Sequence, residues 1–230
     1  DDSPSARVGI YYYENGAYPR KPKVIYDRAN SSFYSLKIDE IPEKAYTASR
    51  CFHTSGITLA LSPKVRETTI EMIKRFKAAG TLVSFDVNFR GNLWTGEEAK
   101  ECIEQILPYV DIFFCSEDTA RLTFKKTGTA REMMKSFTEE YPISIVASTQ
   151  RIVHSPKSHT FGSIIYDARK DIYYEEEPYR DIDVVDRIGS GDAYISGALY
   201  GLLTSNFDCE KAVRYGNATS AVKNTIPGDL

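Results

Sequence analysis

The sequence predicts an α/β fold in which a largely parallel sheet is covered by helices on both faces. Three observations predict it: short apolar stretches alternate with amphipathic stretches of helical period, the short stretches are continuously apolar, and the helices have clear start signals. Continuously apolar strands are typical of parallel sheets, because both faces of such a sheet are buried. Two further strands at the beginning of the chain are predicted to form a hairpin.

The elements follow one another along the chain as strands and helices. In order, the sequence predicts strands at residues 8–13, 23–27, 49–55, 82–87, 111–115, 143–147, 162–166 and 172–176, and helices that begin near residues 63, 95, 129, 191 and 208. Ser62 before Pro63 is an N-cap followed by a proline at the first helical position, and Thr95 and Thr129 each open a capping box. The segments 162–166 and 172–176 predict an antiparallel hairpin near one edge of the sheet.

Composition and charge exclude several classes of protein. The 230 residues contain 29 Lys and Arg against 32 Asp and Glu, a net charge of −3, so nucleic acids and anionic membranes are not expected partners. No apolar run approaches the roughly 18 residues of a membrane span. The four cysteines are scattered without a C-x-x-C pair, which predicts reduced thiols, no zinc site and a cytoplasmic protein.

Ligands of open α/β sheets bind beyond the carboxyl ends of the strands, in the loops that lead into helices. The sequence places such loops at 55–62, 86–95, 115–119, 148–151 and 186–192. The last of them reads Asp-Arg-Ile-Gly-Ser-Gly-Asp, between a strand-like segment at 183–185 and a helix rich in small residues.

The loop at 186–192 has the features of an anion site beside a base. Gly189 and Gly191 allow backbone N–H groups to converge at a helix start, where the helix dipole favours negative charge. Asp192 in the first turn suits a base that accepts a proton from a hydroxyl attacking a bound phosphate. The alternative is that the glycines only shape the loop and Asp192 only caps the helix.

The run Asp186-x-x-Gly189-Ser190-Gly191-Asp192 resembles the D-x-x-G-[AG]-G-D signature of the ribokinase-like (PfkB) carbohydrate kinases. Arg187 stands where threonine is more usual, and this variation resembles the branch that acts on 2-keto-3-deoxygluconate. Other stretches are similar to the same branch, so the resemblance spans nearly the whole chain: residues 9–14, 24–29, 55–58, 86–94 and 225–229.

The resemblance implies a ribokinase-like three-layer α/β/α core with a small β-sheet lid. Residues 1–36 would form part of the lid, and residues 37–230 would form the kinase core. Family members begin with further strands before the region that starts here at Asp1, and they continue past Asp229. The chain is therefore expected to be an incomplete view of a longer kinase.

The resemblance also implies a reaction, namely phosphorylation of a sugar acid by Mg²⁺ and ATP, with 2-keto-3-deoxygluconate as the expected substrate. Asp192 would be the general base, and Gly189, Ser190 and Gly191 would form the anion hole. The sugar-acid contacts that it implies are Arg90, which would hold the carboxylate, with Tyr11, Tyr13, the main chain of Ile57, Arg28 and Asp229. The nucleotide contacts that it implies are Ser148, Thr149, Gly189, Gly191 and Asn224.

Several alternatives remain open at this stage. The family often has N-x-x-E after the 111–115 strand, whereas Ser116 and Thr119 stand here, so no direct protein ligand of the metal ion is expected. Arg90 could bridge to Asp86 across a turn, and the tyrosines of residues 11–13 could serve packing alone. The alternative functions are a kinase of a neutral sugar such as fructose or ribose, and a non-catalytic sensor of sugar acid or nucleotide. A homo-oligomer through the lid also remains open.

Overall fold

The computed structural model describes residues 7–14, 16, 19–20 and 22–228, and the chain divides into two compact units, Asp1–Val110 and Asp111–Leu230. Within the described residues, no helix combines the length and the hydrophobicity that a membrane crossing requires.

The first unit begins with the predicted hairpin, formed by strands β1 (Ile10–Glu14) and β2 (Lys23–Asp27). The strands are antiparallel, with Tyr11 opposite Tyr26 and the two ring centroids 6.3 Å apart. Arg7 closes the base of the hairpin through an ion pair of 2.6 Å with Asp27.

The rest of the first unit alternates between helices and strands. Its elements are α1 (Glu43–Ala48), β3 (Cys51–Ser55), α2 (Gly56–Ala60), α3 (Pro63–Ala78), β4 (Leu82–Asp86) and α4 (Gly96–Glu104), with 3₁₀ turns at Ser32–Ser35, Ile38–Glu40 and Leu107–Tyr109. Strands β3 and β4 are parallel, and both predicted caps are present at Ser62 and Thr95. Helix α2 occupies a segment that was expected to be a loop. The sequence did not predict this helix because five residues are too few to show the apolar spacing of a helix.

The second unit contains β5 (Ile112–Phe114), β6 (Ile145–Ser155), β7 (Ser158–Asp167), β8 (Ile172–Glu175) and β9 (Tyr179–Asp183). Strands β5 and β6 are parallel, whereas β7 is antiparallel to β6, β8 and β9. The antiparallel hairpin predicted between residues 162–166 and 172–176 is confirmed by the β7–β8 pairing.

Two predicted boundaries in this unit are wrong. Strand β6 continues to Ser155, so Ser148 and Thr149 lie in a strand and not in the expected loop at 148–151. This stretch has polar side chains, so it does not form the apolar run by which a strand was predicted. Its backbone N–H and C=O groups are nevertheless paired in the ladder with β7. The strand before the signature loop ends at Asp183, and residues 184–185 follow it as irregular chain.

Four helices of the second unit are described: α5 (Glu117–Leu122), α6 (Ala130–Glu140), α7 (Ser190–Thr204) and α8 (Cys209–Asn224). The two closing helices begin within one residue of the expected positions 191 and 208. Helices α7 and α8 pack against each other and, with Phe161, Ile165 and Tyr194, belong to one buried cluster. Their backbones approach closely, since a Cβ on Gly201 would lie 2.7 Å from the Ala212 Cα.

Candidate active site

The loop between β9 and α7 reaches the helix through a left-handed glycine. Gly189 is the N-cap of α7 and has φ 73°, a conformation that residues with a Cβ rarely adopt. Its carbonyl oxygen accepts a hydrogen bond from the Ala193 N–H at 2.8 Å, and the Ser190 N–H donates to the Arg187 carbonyl at 3.2 Å. This geometry is the physical reason for the first glycine of the signature.

The N-terminus of α7 is open to an anion. Gly189 provides no side-chain cap, and the Gly191 N–H donates to none of the described residues. A Cβ built on Gly191 would meet nothing within 4 Å, so the space in front of this turn is empty. The exposed N–H and the positive end of a 15-residue helix together favour a negatively charged group there.

Asp186 holds the loop in shape from within. Its carboxylate is buried and accepts hydrogen bonds from the Ile188 N–H at 2.9 Å and from the Gly228 N–H at 3.2 Å. These bonds join the signature loop to the segment that follows α8. The first Asp of the signature is therefore a positioning residue in this structure.

The C-terminal end of α8 holds the same loop from the other side. The Asn224 carbonyl accepts the N–H groups of Val185 at 2.8 Å and Asp186 at 3.2 Å. The buried Lys223 ammonium donates to the carbonyl oxygens of Asp186 at 3.4 Å and Ile226 at 3.2 Å. A buried ammonium needs such acceptors, because a charge removed from water is costly unless it is hydrogen-bonded.

A cleft of about 590 Å³ lies beside this loop, between α7 and α8. Gly189 and Asp192 line it, together with Ala193 and Ser196 of α7 and Ala218, Thr219 and Val222 of α8. The Thr219 hydroxyl donates to the Ala193 carbonyl at 2.8 Å and so ties α8 to the first turns of α7. The structure therefore brings the expected base and the expected anion hole to the edge of one mostly apolar cleft.

The other expected nucleotide contacts do not line this cleft. Ser148 is buried on β6, opposite Ile164, and Thr149 lies opposite Ser163. The buried Asn224 amide donates to the Ser220 carbonyl at 2.8 Å within its own helix. A nucleotide contact through these three side chains stays a prediction.

Arg90 lies in the first unit, four residues after the end of β4. Its Nη1 donates to the Phe89 carbonyl at 3.1 Å, while the Asp86 carboxylate accepts the Asn88 N–H at 3.2 Å. A contact between Arg90 and a substrate carboxylate stays a prediction.

The remaining sugar contacts expected in the first unit lie on α2 and on the hairpin. Ile57 follows Gly56, where a Cβ would lie 2.1 Å from the Val87 carbonyl oxygen, so the main chain at the start of α2 is closely packed against the end of β4. Tyr11 and Tyr13 lie on β1, and the Arg28 guanidinium lies 4.0 Å from the centroid of the Tyr26 ring. Asp229 falls outside the described residues.

Two groups of residues gain roles that the sequence did not reveal. Ser196, Thr219 and Lys223 line the cleft, and the only signals for the first two were the small residues around them at 193–198 and 216–221. Ser116 caps α5, because its hydroxyl accepts the Thr119 N–H at 3.3 Å and lies 2.9 Å from the Thr119 hydroxyl. The residues that replace N-x-x-E are therefore a helix cap. Among the described residues, no group of three or more His, Cys, Asp or Glu side chains could hold a metal ion.

Comparisons with known proteins place these features in a family. A model described as "pfkB family carbohydrate kinase" matches residues 3–229. The chain is 35% identical to a 2-dehydro-3-deoxygalactonokinase of Haloferax volcanii, over 98% of this chain and 67% of that protein. It is 28% identical to a 2-dehydro-3-deoxygluconokinase of Bacillus subtilis, over 91% of this chain and 61% of that protein.

Solved structures agree with the sequence comparisons. The crystal structure of a 2-dehydro-3-deoxygluconokinase of Thermotoga maritima matches with a TM-score of 0.90 at 30% identity, over 98% of this chain and 70% of that chain. The predicted ribokinase-like α/β fold is confirmed by this match. The chain spans between 61% and 70% of the length of these three relatives.

Proposed function

Because the chain belongs to the pfkB family of carbohydrate kinases, as its signature loop predicted, we propose that the full-length protein transfers the γ-phosphoryl group of ATP to a hydroxyl of a sugar acid. The substrate that we assign is 2-keto-3-deoxygluconate, also called 2-dehydro-3-deoxygluconate, with its 6-phosphate as product. Two of the relatives are named for this acid and one for its galactonate counterpart. The observation that carries the proposal is Asp192 in the first turn of α7, beside the open anion position and the cleft.

Asp192 is the proposed general base. It accepts the proton of the sugar hydroxyl as that oxygen attacks the γ-phosphorus atom, and the bond from that phosphorus to the ADP oxygen breaks. A carboxylate beside an anion site is unfavourable for phosphate binding alone, since like charges repel. A carboxylate that takes up a proton during the reaction loses that disadvantage in the transition state.

The first turn of α7 is the proposed partner of the charge that develops on the phosphoryl oxygens. The N–H groups there are fixed before the reaction, because Gly189, Asp186 and Lys223 hold the loop. The empty space at Gly191 fits a phosphoryl group, and the apolar walls from Ala193, Ala218 and Val222 fit the uncharged part of a nucleotide.

Mg²⁺ fits this arrangement as an ion carried by the nucleotide. It is commonly held by one or two carboxylates together with substrate phosphates and water. The ion would supply further charge neutralisation at the phosphates, and none of the chain's residues is assigned as its direct ligand.

Arg90 is the proposed partner of the sugar-acid carboxylate. A guanidinium binds a carboxylate through two parallel hydrogen bonds, and within the described residues Arg90 donates one hydrogen bond, to the neighbouring Phe89 carbonyl. This assignment gives a preference for acidic over neutral sugars. Tyr11, Tyr13, Arg28, Ile57 and Asp229 remain predicted contacts of the same substrate.

The test is coupled ADP release by the full-length protein with ATP and a panel of sugars. The panel contains 2-keto-3-deoxygluconate, its galactonate counterpart, fructose and ribose. We expect turnover with the acids, and we expect Arg90→Ala to raise KM for them by about ten- to a hundredfold, since a hydrogen bond to a charged group contributes about 1.5–3 kcal/mol. A preference for a neutral sugar, or an Arg90→Ala variant with unchanged KM, would contradict the sugar-acid assignment.

Two further parts of the proposal concern the setting of the reaction. All four cysteines lie in the described residues and none forms a disulfide, which supports a reducing, cytoplasmic compartment. Association through the hairpin stays a prediction, supported by the exposed apolar side chains of Val8, Ile10, Tyr12 and Ile25. Light scattering of the full-length protein measures that association directly.

A further inference from the structure

Arg151 lies on the side of the sheet that carries α7. It is directly opposite Phe161 in the antiparallel β6–β7 ladder, and residues in direct opposition point to the same face. The Phe161 ring contacts the Tyr194 ring edge-on, with centroids 5.8 Å apart. Tyr194 is one turn from the start of α7, so the register brings Arg151 to the neighbourhood of the open helix N-terminus.

Arg187 reaches the same place along the chain. It lies two residues before Gly189, and its carbonyl oxygen accepts the Ser190 N–H that opens α7. Partial desolvation first, and the charge of Arg187 second, lower the pKa of the Arg151 guanidinium. The pKa of the buried His159 on β7 is also lowered, first by burial and then by the positive charges of Arg151, Arg187 and His154. The strand register and the loop therefore place Arg151 and Arg187 near the same end of α7.

This concentration of positive charge has no anionic partner within the described residues. Neither Arg151 nor Arg187 forms an ion pair there, although most other arginines of the second unit pair with a carboxylate, as Arg169 does with Asp167. An anion that binds between two neighbouring cations removes their mutual repulsion. Together with the positive end of α7, the two arginines make a positive site at the start of that helix.

We propose that Arg151 and Arg187 form a guanidinium clamp for the terminal phosphate groups of a nucleoside triphosphate. The inference rests on the proposed function, since the nucleotide is the phosphoryl donor of that reaction. Two guanidinium groups suit two adjacent phosphates, each of which can accept paired hydrogen bonds. The clamp distinguishes ATP from AMP, because AMP lacks the phosphates that it would hold.

The test is equilibrium binding of ATP, ADP and AMP to the full-length protein, with the variants Arg151→Gln and Arg187→Gln. We expect each substitution to weaken ATP binding by about ten- to a hundredfold and to change AMP binding less than about twofold. KM for the sugar acid is expected to stay unchanged, because the clamp does not contact it. Arg187→Thr restores the residue more usual in the family and is expected to weaken ATP binding to the same extent.

The matched control is Arg180→Gln, which removes an exposed arginine of β9 that pairs with Glu177 at 3.5 Å. It should leave the affinities for ATP and AMP and the thermal unfolding midpoint unchanged. Arginine variants that weaken ATP and AMP equally, or that lower the unfolding midpoint while ATP affinity per folded molecule is kept, would assign the pair to structure and overturn the clamp.

The same measurements separate the clamp from the proposed function. An active wild type whose arginine variants bind ATP normally overturns the clamp alone. A wild type that binds ATP through both arginines but releases no ADP with any sugar acid overturns the kinase proposal and leaves the clamp supported. A wild type that does not bind ATP overturns both.

Discussion

Gly189 and Gly191 lie two residues apart at the start of α7, and the structure gives a different physical reason for glycine at each position. Gly189 has φ 73°, so glycine is required there by the backbone conformation of the folded chain. Gly191 has a conformation open to other residues, and a Cβ there would enter empty space. Glycine is therefore required at position 191 by the ligand that would fill that space, not by the folded chain.

Substitution by alanine at each position distinguishes a conformational requirement for glycine from a ligand-binding one. Gly189→Ala is expected to lower the free energy of unfolding by about 1–2 kcal/mol, the cost of placing a Cβ in the left-handed region. Gly191→Ala is expected to leave that free energy within about 0.5 kcal/mol but to weaken ATP binding, because the methyl group occupies the phosphoryl position. Urea unfolding and ATP titration of both variants measure this. A Gly191→Ala variant that binds ATP like the wild type would contradict the placement of the phosphoryl group.

The residue type alone did not predict the role of a residue where that role depends on which groups the side chain contacts. Asp186 was recognised as part of the signature, but only its bonds to Ile188 and Gly228 reveal that it holds the loop. Arg90 had two interpretations from the sequence, a bridge to Asp86 or a partner of a substrate carboxylate, because the residue type suits both. Lys223 carried no sequence signal as a cleft residue, since a lysine near a helix end is usually a solvated one.

Strand β7 ends on the buried carboxylate of Asp167. Arg169 holds it through two hydrogen bonds of 2.8 Å, and Lys170 lies 3.8 Å away. Burial acts to raise the pKa of this carboxyl, but the Arg169 bonds outweigh it, and the pKa lies below its usual value. A carboxyl with a depressed pKa stabilises the fold above its unfolded pKa of about 3.9, and that contribution is lost as the pH falls through the folded pKa.

Asp167→Asn should remove this contribution. We expect the free energy of unfolding at pH 7 to fall by about 2 kcal/mol, less than for a fully buried pair because Arg169 is partly exposed. The variant should also lose less stability than the wild type on acidification below about pH 4. Urea unfolding at pH 7 and below pH 4, with Asp183→Asn on exposed β9 as control, measures both effects. Equal acid sensitivity of wild type and variant would refute the role of this ion pair.

Whole elements were predictable wherever pattern and caps agreed. The capping boxes at Thr95 and Thr129 and the Ser62 cap placed α4, α6 and α3 correctly. The failures share one cause: the polar half of β6 and the short helices α2 and α5 lack a readable apolar period. Their structure depends on partners outside the segment itself, such as the ladder with β7 for the polar half of β6, which a pattern within the segment does not encode.

For the molecule as a whole, the family resemblance gave more than the pattern did. It identified the fold and the kinase class, because a loop that must bind phosphate at a helix start tolerates few sequences. It could not predict which departures matter. The Ser116 cap in place of the usual N-x-x-E and the arginines at 151 and 187 are properties of this chain. They became interpretable only with the hydrogen bonds and the strand register.

The proposed function depends on Asp192 acting as a base and on the protein being an enzyme, which a sensor of the same fold would not be. The most direct measurement compares wild type and Asp192→Asn, as full-length proteins, for ADP release with 2-keto-3-deoxygluconate and for equilibrium binding of ATP. We predict that the variant loses turnover by about 10²- to 10⁴-fold, the usual contribution of a general base, and binds ATP at least as tightly as the wild type. An Asp192→Asn variant that keeps its turnover within tenfold would contradict the account, and a wild type without turnover would identify a sensor instead.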